Sequence, residues 1–297
     1  MSATGDWHPL YPFQSHEAIL DGHRYHYIDE GAGPVLLMVH GNPTWSFYWR
    51  ELVRALSRRY RVIAVDHIGC GLSDKPSAAD YSYRLAQRVA DLNQFIEKLD
   101  LRQITLVAHD WGGGIGMGAA VAAPERFARF VLMNTAAFRS DRCPWRIRVC
   151  RIPLLGQLAV QGLNLFSLAA LRMAVAKPER MTAAVKAGLL APYDSWAHRV
   201  AIYQFVQDIP MRPSHPSYKT LAEIEAGLAR FRQHPACLIW GMRDWCFTPW
   251  FLERFRDFLP QAEVHRLADA GHYVVEDAHE QIVPLMENFL EKHPLGP

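Results

Sequence analysis

The chain has 297 residues, 50% of them hydrophobic, so it is long enough to bury one large core or two smaller ones. Its 32 basic and 30 acidic side chains leave a net charge of only +2, which argues against a nucleic-acid partner. No apolar segment is long enough to cross a bilayer, and residues 1–12 lack the basic and apolar regions of a signal peptide, so we expect a cytoplasmic protein.

Short apolar runs alternate with helical patterns over most of the chain. Residues 23–28 alternate between polar and apolar side chains and predict an antiparallel strand. Continuous apolar runs predict buried strands at 35–39, 62–65, 104–107, 130–133 and 237–240, with a more polar strand at 262–267. Helical patterns at 50–59 and 83–99 predict two covering helices. The sequence therefore predicts an α/β fold with a mostly parallel sheet covered on both faces.

The alternation stops between Asn134 and about Ser217. Helical patterns at 152–175, 181–190 and 195–207 fill this interval, and prolines interrupt them. An insertion of this length between two strands predicts a helical cap over the active site. We therefore expect three segments: core residues 1–134, a cap at 135–217 and core residues 218–297. Within the cap, Phe166, Leu168 and Leu171 are candidates for lining an apolar pocket.

The most informative motif follows the strand at 104–107. In the sequence AHDWGG (108–113), Asp110 occupies the place of serine in the G-x-S-x-G nucleophile elbow, and Gly112 keeps the final glycine. A carboxylate is already anionic and suits displacement at an sp3 carbon that bears a leaving group. A lone aspartate between strand and helix would more often be a helix cap. Partner residues elsewhere favour the nucleophile.

Two residues can complete a catalytic set with Asp110. His272 follows the last predicted strand, and Asp244 follows the strand at 237–240, so both lie at carboxyl ends of the sheet, where α/β sites form. Because Thr248 and Pro249 make the better start for the next helix, Asp244 is free to orient a histidine. The order nucleophile, acid, base is that of α/β hydrolases.

An anion cradle is predicted beside the nucleophile. The motif HGNP (40–43) follows the strand at 35–39, in the loop that commonly supplies an oxyanion-hole N–H. Asn42 and Trp111 would contribute backbone N–H groups, and their amide and indole side chains are further donors. Asn42 alone would be a turn residue and Trp111 alone a packing residue, but together they flank Asp110.

The remaining motifs predict no cofactor or metal. The five cysteines have no C-x-x-C spacing, so reduced thiols are expected, although Cys143 and Cys150 could pair or bind metal. The glycine-rich loop at 67–74 lacks the G-x-G-x-x-G pattern of dinucleotide sites and is interpreted as structural. The five arginines between 139 and 151 predict either a solvated face or a docking surface.

These residues resemble the α/β-hydrolase superfamily over nearly the whole chain. More narrowly, HGNPTWSFYWR (40–50), HIGCGLSDKP (67–76), AHDWGG (108–113) and AGHY (270–273) resemble the haloalkane dehalogenases. One branch of that family takes its acid just after the sixth strand, where this chain has Asn134, so the resemblance implies Asp244 as the acid. The third branch has an Asp–His–Asp triad and an Asn–Trp pair, and it consists largely of β-lactone decarboxylases of bacterial long-chain olefin biosynthesis. The sequence of this chain resembles those enzymes.

The resemblance implies conversion of cis-3-alkyl-4-alkyloxetan-2-ones to cis-alkenes and CO2. It also implies an eight-stranded sheet, no cofactor, a hydrophobic β-lactone substrate and assembly with the β-lactone synthetase and reductase of the pathway. The sequence leaves contact with a membrane open, weak association included. Alternatives are a haloalkane dehalogenase, an epoxide hydrolase using two of Tyr193, Tyr203 and Tyr218, and a non-catalytic partner protein. The sequence leaves open whether Asp110 attacks the ring C–O carbon or the carbonyl.

Overall fold

Eight strands form a single sheet in the computed structural model, which describes residues 5–296. The strands are β1 (Ser15–Leu20), β2 (His23–Glu30), β3 (Val35–Val39), β4 (Arg61–Val65), β5 (Ile104–Asp110), β6 (Phe127–Thr135), β7 (Ala236–Gly241) and β8 (Glu263–Leu267). Seven of them match predicted runs, and β1 was not predicted. Of residues 1–12, which were predicted to lack signal-peptide features, residues 1–4 lie outside the described residues.

The sheet is mostly parallel, as predicted. The strand order is β1-β2-β4-β3-β5-β6-β7-β8, and only the β1–β2 and β2–β4 pairs are antiparallel. Side chains alternate between two hydrophobic clusters, one on each face: Leu37 and Leu106 belong to one cluster, and Met38 and Val107 belong to the other. This double coverage explains why the central strands are continuous apolar runs.

Helices cover both faces. They are α1 (Arg50–Leu56), α2 (Leu85–Lys98), α3 (Trp111–Ala122), α4 (Trp145–Val149), α5 (Leu155–Gln157), α6 (Leu165–Met173), α7 (Ala183–Leu190), α8 (Val200–Gln207), α9 (Tyr218–Gly227), α10 (Pro249–Phe258) and α11 (Val274–Lys292). Helices α2, α3, α9 and α10 pack on one face, and α1 and α11 on the other. Over residues 5–296, no helix has both the length and the apolar character that a membrane crossing needs.

The inserted helices α4 to α8 lie between β6 and β7, within the predicted cap at 135–217. The prediction of a single helical pattern at 152–175 is wrong. The chain there forms α5, a π-helical turn (Leu158–Gly162) and α6, because Asn164 adopts a left-handed conformation with φ 55°. Leucines are so frequent in this stretch that they hide the break.

A buried ion pair joins the first and last helices. The guanidinium of Arg50, at the start of α1, donates to both carboxylate oxygens of Glu276 in α11, at 2.6 and 2.7 Å. Both side chains are buried, and the guanidinium also lies 4.4 Å from the centre of the Phe47 ring. This pair holds α11 in place directly after the loop that carries His272.

Candidate active site

The backbone presents Asp110 at a sharp turn between β5 and α3. Asp110 has φ 52° and ψ −128°, a conformation that side-chain-bearing residues rarely adopt and that is typical of nucleophile elbows. Its carboxylate makes no capping hydrogen bond to α3, so the helix-cap interpretation is wrong. The Thr135 hydroxyl donates to the Asp110 carbonyl and supports the turn from β6.

Two close backbone approaches shape this turn. A Cβ added to Gly41 would overlap the Asp110 carboxylate, and one added to Gly112 would overlap the Val39 carbonyl. Glycine at these two positions lets the loop after β3 lie directly against the nucleophile. As a result, the Asn42 backbone N–H donates to Oδ1 of Asp110 at 2.7 Å.

His272 lies between two carboxylates. Its Nε2 is 3.5 Å from Oδ2 of Asp110, and its Nδ1 is 2.8 Å from Oδ2 of Asp244. All three side chains are buried. The Nδ1 contact fixes the tautomer that leaves Nε2 facing the nucleophile. The structure therefore brings the predicted nucleophile, base and acid into one chain of contacts.

Three neighbours that were not predicted support this arrangement. Asn134 Nδ2 donates to Asp244 Oδ2 at 3.0 Å, and its Oδ1 accepts from the Gly241 N–H at 2.8 Å. His109 Nε2 is 2.8 Å from the His272 carbonyl oxygen. The Phe247 ring stacks on His272 with a centroid distance of 5.7 Å. Of these three neighbours, only Asn134 was marked by the sequence, because it stands at the position where one branch of the haloalkane dehalogenases has its catalytic acid.

Burial and charge act on the two titrating groups in different ways. Burial raises the pKa of Asp110, although His272 and the backbone N–H groups of Asn42 and Trp111 oppose the shift. Burial lowers the pKa of His272, but the Asp244 and Asp110 carboxylates outweigh it, and the pKa of His272 is raised. The imidazolium is therefore favoured, and it carries a proton beside the nucleophile.

Replacing Asp244 with asparagine should lower the pKa of His272. Asp244 is the largest influence that holds the proton, and burial opposes it, so without Asp244 the imidazole should lose its proton at lower pH than in the wild type. An NMR titration of the His272 ring would measure the change. Asp269→Asn is the matched control, because Asp269 is half exposed and pairs with Lys177. An unchanged His272 pKa in Asp244→Asn would contradict this assignment.

The two predicted cradle side chains behave differently. Asn42 Nδ2 donates to the Ile202 carbonyl in α8 at 3.2 Å, so one amide proton is used to bind the cap. The second amide proton remains to serve an anion. The Trp111 indole packs against Phe205, with ring centroids 5.3 Å apart. Both side chains line the pocket above Asp110.

That pocket is largely apolar and contains about 940 Å³ of space, its open mouth included. Core and cap residues both line it, among them Leu85, Ala136, Phe138, Pro144, Ile147, Phe166, Val206, Ile209, Met211, Leu221, Phe247 and Phe251. A carboxylate nucleophile at the base of an apolar pocket suits a hydrophobic electrophile.

Some predicted lining residues lie elsewhere. Of the three cap candidates only Phe166 lines the pocket, since Leu168 is exposed and Leu171 is buried in the core. All five cysteines are free, so the pairing of Cys143 with Cys150 does not form.

Comparisons with known proteins show the family of this chain. The alpha/beta hydrolase fold family matches residues 34–149. The chain is 43% identical over 285 residues to cis-3-alkyl-4-alkyloxetan-2-one decarboxylase of Shewanella oneidensis, covering 95% of this chain and 89% of the relative. It is 45% identical over 280 residues to the protein of the same name from Xanthomonas campestris pv. campestris, covering 91% and 93%. Haloalkane dehalogenase 2 of Mycobacterium tuberculosis is 34% identical over 286 residues, covering 94% and 96%.

Solved structures give the same result. The haloalkane dehalogenase DatA from Agrobacterium tumefaciens C58 superposes with a TM-score of 0.83 at 25% identity, covering 99% of this chain and 100% of that one. A loop variant of the haloalkane dehalogenase DbeA from Bradyrhizobium elkanii also has a TM-score of 0.83 at 25% identity, covering 94% and 97%. The chain therefore belongs to the α/β-hydrolase superfamily, in the haloalkane dehalogenase-like group that also contains the cis-3-alkyl-4-alkyloxetan-2-one decarboxylases.

Proposed function

We propose that this protein decarboxylates cis-3-alkyl-4-alkyloxetan-2-ones to cis-alkenes and CO2. The observation that carries the proposal is the 43–45% identity, over nearly the full length, to two relatives that bear this activity in their names. The relatives named haloalkane dehalogenase 2 reach 34%. The apolar pocket above Asp110 supports a substrate with alkyl chains.

In the first route, Asp110 attacks the ring carbon that bears the lactone oxygen. The C–O bond breaks, its electron pair stays on the departing oxygen as a carboxylate, and the carbon inverts. Asn42 and Trp111 stabilise that negative charge. The C–CO2 bond then supplies the electrons of the alkene, and the ester oxygen of Asp110 leaves. Anti elimination after inversion restores the cis relationship of the alkyl groups.

In the second route, Asp110 attacks the lactone carbonyl, the acyl C–O bond breaks and the ring oxygen leaves as an alkoxide, which forms a mixed anhydride. The alkoxide then attacks the Asp110 acyl carbon, and the substrate carboxylate leaves with one oxygen of Asp110. The resulting Asp110 ester loses CO2 as in the first route, but the carbon has not been inverted, so a syn elimination gives the cis-alkene. Neither route consumes water, so His272 need not activate a water molecule. Oriented by Asp244, it serves as a proton and charge partner 3.5 Å from the nucleophile. Its raised pKa supports the charged form in this role.

Haloalkane dehalogenase activity is the second candidate, because the solved structures with this fold carry that name. The same atoms would then work differently. Asp110 would displace halide from an sp3 carbon, and His272 would activate water to hydrolyse the resulting ester. Solvent oxygen would enter the Asp110 carboxylate at every turnover.

Two weaker alternatives lose support. An epoxide hydrolase would need tyrosines facing the nucleophile, but Tyr193, Tyr203 and Tyr218 do not line the pocket, and the Tyr193 hydroxyl donates to the Thr44 carbonyl. A non-catalytic protein would gain nothing from a buried carboxylate held in a strained backbone conformation.

The deciding experiment supplies the purified protein with a cis-3,4-dialkyl β-lactone and, separately, with a 1-bromoalkane, both in water enriched in oxygen-18. Gas chromatography measures alkene and alcohol, and peptide mass spectrometry measures label in Asp110. We expect cis-alkene from the lactone and an unlabelled Asp110. Alcohol and bromide without alkene, together with labelled Asp110, would make the protein a dehalogenase and overturn the proposal.

A further inference from the structure

The cap carries an unusual share of exposed apolar side chains. Among residues 5–296, thirteen large hydrophobic residues are exposed, and eleven of these lie between 145 and 196. They form the surface that we call the cap face: Trp145, Val149, Ile152, Leu154, Leu155, Leu158, Leu163, Leu165, Leu168, Met173 and Trp196. Exposed hydrophobic residues scattered singly are normal, but a concentration of this kind marks an interaction surface.

Contacts inside the cap, and between the cap and the loop after β7, bring its parts together. The Arg146 guanidinium lies 5.6 Å from the Trp145 ring and 5.4 Å from the Trp245 ring, and the Trp245 indole donates to the Met173 carbonyl at 2.7 Å. Gln161 Nε2 donates to the Trp196 carbonyl at 3.0 Å. The π-helical turn (Leu158–Gly162) contacts both α5 and α6, so the exposed apolar residues of these three elements lie close together.

The charge of this segment has a single sign. Residues 142–178 contain no aspartate or glutamate and six basic residues: Arg142, Arg146, Arg148, Arg151, Arg172 and Lys177. The whole chain carries +2, so the remaining residues carry −4. Of the six, only Lys177 has a carboxylate partner in the described part of the chain, namely Asp269. The basic charge of residues 142–178 is therefore almost entirely uncompensated.

We propose that the cap face docks on an anionic phospholipid bilayer. Exposed leucines and tryptophans beside uncompensated arginines are the combination that binds the interface of such a membrane, where apolar side chains enter the acyl boundary and basic ones meet the head groups. A bilayer needs no matching shape, which suits an irregular surface built from short helices. A second copy of this chain is disfavoured, because a symmetric contact would bring like charges together.

The same segment forms part of the pocket wall. Arg142, Pro144, Ile147 and Phe166 line it and belong to the basic stretch. Docking would therefore bring this wall of the pocket close to the membrane, where long-chain molecules accumulate. Only this advantage for long-chain substrates rests on the proposed function. The docking itself rests on the exposed apolar side chains of the cap face and on the basic residues beside them.

Vesicle co-sedimentation of the full chain, without substrate, tests the docking. We expect binding to phosphatidylcholine vesicles that contain about a quarter phosphatidylglycerol, weak binding to phosphatidylcholine alone, and release at about 0.5 M NaCl. The double variant Leu155→Asp, Leu158→Asp should lose roughly tenfold in partition coefficient. Arg146→Gln with Arg148→Gln should lose binding to the anionic vesicles specifically.

The matched control is Ile19→Asp, which replaces an exposed apolar residue outside the cap face. It should bind vesicles like the wild type, and circular dichroism would establish that every variant is folded. No binding to anionic vesicles, or equal binding by the Leu155→Asp, Leu158→Asp variant, would overturn the proposal. So would a dimer in sedimentation velocity without lipid that becomes a monomer in the Leu155→Asp, Leu158→Asp variant. Because no turnover is measured, failure of the docking and failure of the decarboxylase assignment are distinguishable.

Discussion

Replacing Asp110 with asparagine should abolish turnover while leaving the fold intact. The amide keeps the shape of the carboxylate, and its oxygen can still accept the Asn42 N–H, but it is not a nucleophile. Loss of a covalent nucleophile commonly lowers kcat by about 10⁴-fold or more. Alkene release measured by gas chromatography gives the effect, and intact mass rules out deamidation back to aspartate.

The same substitution should raise the melting temperature. The pKa of Asp110 is raised by burial, so the contribution of the carboxyl group to stability is fully present at pH below its unfolded pKa and is lost as pH rises through the folded pKa. Near neutral pH the ionised side chain opposes folding, and a neutral amide does not. Asparagine with near wild-type turnover would exclude Asp110 as the nucleophile, and a lowered melting temperature would contradict the burial argument.

Glu276→Gln should cause a large loss of stability. It leaves the buried Arg50 guanidinium with only the partly exposed Glu51 carboxylate, 3.4 Å from its Nε, and breaking a buried pair on one side costs about 3–5 kcal/mol. Denaturant unfolding would give the free energy directly. The double variant Arg50→Met, Glu276→Leu should recover more than half of the loss, because no uncompensated charge remains.

Glu291→Gln is the matched control for this prediction. It removes a carboxylate at the same distance, 2.6 Å, from Arg59, but both side chains are more than half exposed. Exposed pairs contribute about 0–1 kcal/mol, so the control should unfold almost like the wild type. Equal losses of unfolding free energy in Glu276→Gln and Glu291→Gln would show that the buried Arg50–Glu276 pair stabilises the fold no more than an exposed pair does.

Much of the site could be predicted because its residues follow strands. Asp110, Asp244 and His272 each come at or soon after the carboxyl end of a strand, and parallel strands bring those ends together. The position of Asn134 indicated a role near the acid, but the sequence did not predict its hydrogen bond to Asp244. The His109 contact with the His272 carbonyl could not be predicted, because it depends on the exact backbone path of the loop after β8, which no sequence pattern gives.

The cap and the edge strand were harder to predict for opposite reasons. In β1 only Ala18 and Leu20 are buried, so the polar residues of an exposed edge dilute the alternation that identifies a strand. In the cap, leucines lie on exposed as well as buried positions, so apolar spacing no longer tells where a helix breaks. The left-handed Asn164 is visible only in the backbone.

The hydrogen bond between Asn42 and the cap has a consequence for how such chains diverge. Asn42 contacts the carbonyl of Ile202, not its side chain. Asn42 therefore holds the path of the cap backbone whichever side chain stands at position 202. That position can change, and with it the molecules that are admitted, while the reacting groups beneath keep their spacing.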